Sequence, residues 1–195
     1  AAISCGFTNS KFLDQLNNLE KEKSDKLFVV AMSPSTAAEL KTVMDWLQSR
    51  VLSGGEARYA YAYAVDLFGA GVPTWKETAA AMLLYGRVAM YVDGARCADQ
   101  TAPGNRKFEW EEIIMPRINS ILQYYRSLEK VKQNEIMSAA LQFEEKLKDR
   151  RGKNEWLCSG GMSFFERFAE KHGELKGKEI QDSNYVGGKV IALQD

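Results

Sequence analysis

Apolar side chains recur three or four residues apart over most of this chain, a spacing that a helix buries on one face and a strand cannot. Phe12, Leu13, Leu16 and Leu19 make the first such stripe, with Ser10 ahead of it as a cap, and it runs out in the charged stretch 20–26. Thr36 and Glu39 have the spacing of a capping box, and Pro34 suits a first turn. Leu40, Val43, Met44, Leu47 and Val51 follow at helical spacing, and Gly54-Gly55 end the run.

Two segments test the rule. The run Leu27 to Met32 is continuously apolar, so periodicity leaves a buried strand and a turn of buried helix equally open. Arg58 to Ala64 alternates with period two, which taken literally is a strand. Alanine is the strongest helix former, however, and Tyr59, Tyr63 and Leu67 continue at helical spacing, so a helix is expected there. On a helix that buries Tyr59 and Tyr63, Tyr61 faces the other way.

Thr74 and Glu77 form a second capping box ahead of a long helix through Met82, Gly86, Ala89 and Asp93. Gly86 and the alanines leave little bulk, so another helix can approach closely. The segment 99–106, with Pro103-Gly104-Asn105, reads as a loop. From Phe108 a stripe through Trp110, Ile113, Ile114, Ile118, Ile121, Leu122 and Tyr125 crosses Pro116, which predicts a kinked helix. Ile136, Ala140, Phe143 and Leu147 mark the next helix. Ser163 and Glu166 cap a short one carrying Phe164, Phe165 and Phe168, and Tyr185 to Ile191 around Gly187-Gly188 reads as a hairpin. The expected fold is mainly α: one domain over 1–195, a bundle of about six or seven helices. Residues 1–9 are expected to form a mobile N-terminus and 174–195 a C-terminal tail or hairpin.

Composition narrows the function by exclusion. The chain carries 26 basic and 26 acidic residues among 195, so no global charge favours nucleic acid or an anionic membrane. No apolar run approaches the roughly 20 residues of a membrane-spanning helix. A single histidine, His172, rules out sites built on two or three histidines, and no metal-ligand, phosphate-loop or serine-elbow motif is present. Cys158 with His172 fails as a nucleophile–base pair because the two flank opposite ends of one short helix, roughly 15 Å apart. No cofactor is expected.

Three cysteines allow one internal pair. Cys97 and Cys158 each sit where a helix meets loop chemistry, and a bridge between them is the expected pairing. It implies an oxidising compartment, as does a start at Ala1-Ala2-Ile3-Ser4-Cys5 without methionine, so a periplasmic or secreted location is expected. Cys5 reads as a spare thiol, with a lipid anchor as the alternative. Asp66, Asp93 and Asp99 are expected to pair with Arg58, Arg87 and Arg96 rather than to form a catalytic dyad.

Tyr61, Tyr124 and Tyr125 are the candidates for an exposed aromatic interface. The expected function is therefore that of an exported, bacterial-type envelope protein acting by binding another protein, in an inhibitor, immunity or accessory role. Two alternatives stand beside it: a carboxylate-dependent hydrolase or lyase on a carbohydrate or cell-wall substrate, and a small-molecule or lipid carrier lined by Met82, Phe143 and Phe165.

Overall fold

A computed structural model describes residues 9–162. Expectations placed on Cys5, Phe164, Phe165, Phe168, His172 and the tail 174–195 lie outside them. The fold is mainly α. Seven α-helices and no strands occur among the described residues: α1 (Ser10–Lys21), α2 (Lys26–Ala31), α3 (Ala37–Leu52), α4 (Ala57–Gly69), α5 (Lys76–Ala95), α6 (Ala102–Ser127) and α7 (Lys130–Leu147). The described residues divide into two compact units, one formed by 9–89 with 116–152 and the other by 90–115 with 153–162.

In the first unit, local chemistry sets the helix ends. Asn9, not Ser10, caps α1: its side chain accepts from the Phe12 amide, while its own N–H donates to Thr42 Oγ1 at 3.1 Å, so the chain is already held at residue 9. Thr36 caps α3 by accepting from the Glu39 amide at 3.1 Å, and Glu39 Oε2 accepts from the Ser35 amide. Gly54 closes α3 with φ +84°, a left-handed conformation suited to glycine, and the Gly54 and Gly55 amides return to the Val51 and Arg50 carbonyls. The ambiguous run Leu27 to Met32 is helical, as α2, with Leu27 and Phe28 buried. The Thr74–Glu77 box is replaced by a 3-10 turn over Pro73–Trp75 that feeds α5.

The alternating tyrosine segment is helix α4, but Tyr61 is not on a free face. It is 2% exposed. A Cβ at Gly86 of α5 would lie 2.8 Å from Tyr61 Cδ2, so the missing side chain is what lets the ring lie against the α5 backbone. Elements thus cover both faces of α4, while Tyr63 is half-buried.

In the second unit, α6 starts at Ala102, inside the segment read as a loop. The Asp99 side chain accepts from the Thr101 amide at 2.9 Å and leads the chain into the helix. Pro103 and Gly104 then occupy a first turn whose amides need no intrahelical partner, so residues typical of turns are tolerated there. Cys97 and Cys158 form a disulfide.

Candidate functional site

The second unit is built around that bridge. Cys97 is 3% exposed and Cys158 half-buried. Two short motifs hold the strand of chain carrying Cys158. The buried Arg106 of α6 donates through Nε to the Ser159 carbonyl at 3.3 Å and through Nη2 to Ser159 Oγ at 3.2 Å, while Nη1 reaches Glu109 at 2.8 Å. The Met162 amide donates to Thr101 Oγ1 at 2.7 Å. Asp99 presses against Gly161 so closely that a Cβ there would meet its carboxylate, which accounts for the second glycine of Cys158-Ser159-Gly160-Gly161.

Two aromatic residues of this unit stand out from the surface. Tyr91 on α5 and Phe108 on α6 are each 64% exposed, and Lys107 Nζ lies 3.9 Å above the Tyr91 ring. Ile113 and Met115 on α6 are exposed as well. Sequence reasoning passed over this pair. The helical stripe of α6 was read from Phe108 inward, and its first residue faces outward instead.

The expected interface tyrosines lie in the first unit. Tyr124 and Tyr125 are half-buried. Tyr124 packs against Phe68 with ring centroids 5.9 Å apart, and Lys76 Nζ sits 5.6 Å and 5.8 Å from the two rings. Tyr125 donates its hydroxyl to the Gln133 carbonyl at 3.2 Å, tying α6 to α7. Tyr61, being buried, leaves the interface set.

The aspartate–arginine expectations resolve into separate environments. Arg96 Nη1 lies 3.9 Å from Asp93 Oδ1 in the second unit. Arg58 binds Glu56 at 2.6 Å and covers the Phe28 ring. It stands eight residues before Asp66 on one helix, roughly 12 Å away, so the cation facing Asp66 is Arg117 instead. Arg87 is half-buried on α5. Asp66 is 3% exposed, and its Oδ2 meets no hydrogen-bond donor among the described residues. Burial pushes its carboxyl up to about 8 against the pull of Arg117, whose guanidinium is spent on the Met32 carbonyl at 2.6 Å and Ser33 Oγ at 3.2 Å.

Two further ion pairs, besides Arg58–Glu56 and Arg106–Glu109, went unforeseen. Arg151 makes a buried bidentate pair with Glu144, both bonds 2.7 Å, and reaches the Tyr85 hydroxyl at 3.2 Å. Arg50 grips Glu20 with two bonds of 2.7 Å, and Tyr59 donates to the same carboxylate at 2.8 Å. Burial alone would raise the Glu20 carboxyl, but the hydrogen bonds from Arg50 and Tyr59 outweigh it and hold it below its usual value. Both pairs join segments distant in sequence or separated by a helix end, and no spacing rule marks them.

Among the described residues no group of three or more His, Cys, Asp or Glu is arranged to hold a metal ion, and no helix is long and apolar enough to cross a membrane. A shallow depression of about 550 Å³ runs along α7, lined by Val131, Asn134, Glu135, Ser138, Ala139 and Gln142. Four of its six lining residues are polar, but apolar atoms supply most of the lining surface. Met82 is buried in the core, and Phe143 packs 6.0 Å from the Tyr85 ring. No protein family, curated protein or solved structure matches this chain.

Proposed function

We propose that the protein acts by binding another protein, through the surface of the second unit that carries Tyr91, Lys107 and Phe108, and that it works outside the reducing cytosol as an exported, envelope-associated protein. The observation that carries the reading is the exposure of Tyr91 and Phe108, 64% each, on two helices of one compact unit. Large aromatic side chains in water gain more from burial on docking than they lose in rotamer freedom, and they are enriched in binding hot spots. The bridge supports the location, since disulfides persist where glutathione does not reduce them. An inhibitor, immunity or accessory role fits such a surface.

The enzyme reading has one observation in its favour. Asp66 keeps its proton up to about 8, the state a general acid needs at neutral pH. It is nevertheless 3% exposed, and burial and the Arg117 cation are what set its carboxyl. The binding reading therefore stands first.

The test is affinity capture from the native host's envelope with the full chain and with Tyr91→Ala/Phe108→Ala. The expected result is one protein enriched reproducibly by the parent and lost with the variant, while circular dichroism shows the same helicity in both. Equal enrichment by both, or none by either, contradicts the proposal.

A further inference from the structure

The two sulfurs of the bridge are not equivalent, and the difference is chemical. Cys97 Sγ is buried at the C-terminal turn of α5, 3.7 Å from the Asp93 carbonyl oxygen, and Asp93 itself is a buried carboxylate one turn back on the same helix. Carbonyls at a helix C-terminus repel a thiolate formed there, and the Asp93 carboxylate, 3.9 Å from the half-exposed Arg96 guanidinium, adds to that repulsion in part. Cys158 is half-buried, and the residue after it is gripped by the Arg106 guanidinium through its carbonyl and its hydroxyl. A nucleophile from solvent can reach the half-buried Cys158 sulfur and is kept by burial from the Cys97 sulfur.

The geometry points to Cys158 as the site at which an external thiol, of the glutathione class, adds to this protein. The incoming thiolate forms a bond to Cys158 Sγ. The bond between the two protein sulfurs breaks, and its electron pair leaves with Cys97 Sγ, which takes a proton from solvent. The product is a mixed disulfide on Cys158 and a free thiol at Cys97. A second external thiolate attacking the outer sulfur of that adduct releases Cys158 as thiolate and closes the small-molecule disulfide. Two thiols are thereby oxidised and the bridge is reduced by two electrons.

Access and leaving-group chemistry oppose each other here. A thiolate leaving from Cys158, the less buried of the two, would be the better solvated, and that alone favours attack on Cys97. In-line approach to a sulfur that is 3% exposed requires the unit to open first, so access decides the site. The buried, poorly stabilised leaving group then decides the rate. The exchange goes through Cys158 and is slow. The bridge is thus a brace that an external monothiol cuts and tags, at its Cys158 end, in one step.

The experiment uses the native full chain with Cys5 first blocked by iodoacetamide. Reduced glutathione is added, the reaction is quenched in acid, new thiols are labelled with N-ethylmaleimide, and peptides are mapped by mass spectrometry. The expected result is glutathione on Cys158 and maleimide on Cys97, with a rate about tenfold or more below that of the urea-unfolded chain, in which both sulfurs are tagged. Asp93→Asn is expected to speed the native reaction severalfold while the adduct stays on Cys158. An adduct on Cys97, an even division between the sulfurs in the native chain, the same preference in urea, or no adduct on either after prolonged exposure would each overturn it.

Discussion

The two units of this chain hold themselves together in different ways. The first buries large side chains from α1 to α5 and from α6 to α7, including Leu16, Leu47, Leu83, Tyr85, Ile118 and Ile121, and places its charges in bidentate pairs. Among the described residues the second buries the apolar side chains of Met90, Cys97, Ala102, Trp110, Ile114 and Leu157, and it carries the disulfide. In this unit a covalent link adds to burial by removing entropy from the unfolded state. The same unit exposes Tyr91 and Phe108 to water, apolar surface that its own core does not use.

The largest effect that sharpens this contrast belongs to the buried carboxyl of the first unit. Asp66 moves from 3.8 to about 8 on folding, because burial disfavours its charge. Between those values the folded chain keeps the proton and the unfolded chain does not, so unfolding releases it and stability falls as pH rises. The slope is about 1.4 kcal/mol per pH unit, summing to roughly 5 kcal/mol across the window. Asp66→Asn is expected to remove that slope in urea unfolding from pH 4 to 8. Identical slopes in the two proteins would mean that burial does not govern this carboxyl.

Removing the bridge comes next. Closing a loop with a sequence separation of 61 stabilises by about 4 kcal/mol by the chain-entropy argument. Cys97→Ala/Cys158→Ala is expected to unfold at correspondingly lower urea, and an unmoved transition would break the contrast between the units. Glu144→Ala follows in the first unit. It leaves the Arg151 guanidinium buried without its carboxylate, at a cost of about 3 kcal/mol, the lower end for a broken buried pair because the Tyr85 hydroxyl still contacts the arginine. Replacing both residues together, Glu144→Leu with Arg151→Met, is expected to recover most of the loss in thermal unfolding.

The smallest effect is Gly86→Ala. Its new methyl group would overlap the buried Tyr61 ring, a cost of about 2 kcal/mol, against about 1 kcal/mol gained in helix propensity. A net loss of about 1 kcal/mol is expected from differential scanning calorimetry. A stabilised variant would mean that Tyr61 is free to move aside.

Much of the first unit was legible because its signals are local. Thr36 with Glu39 and Gly54 with Gly55 state both ends of α3, and the side chains between them repeat at helical spacing. Tyr61 was misplaced because a helical wheel gives the direction of a side chain but not the number of layers packed around the helix. The start of α6 was hidden because Pro103-Gly104-Asn105 is equally at home in a turn and in the first turn of a helix. Cys97–Cys158 could be read because so few pairings exist. Glu144–Arg151 and Asp66–Arg117 could not, since tertiary approach alone brings them together.

The central claim is that the bridge holds the second unit and not the first. Hydrogen exchange on the oxidised and phosphine-reduced chain, read by mass spectrometry, tests it most directly. On reduction, amides in 90–115 and 153–162 are expected to lose protection while those in α3 and α4 keep theirs. Protection unchanged everywhere, or lost to the same extent in α3 and α4, would contradict it.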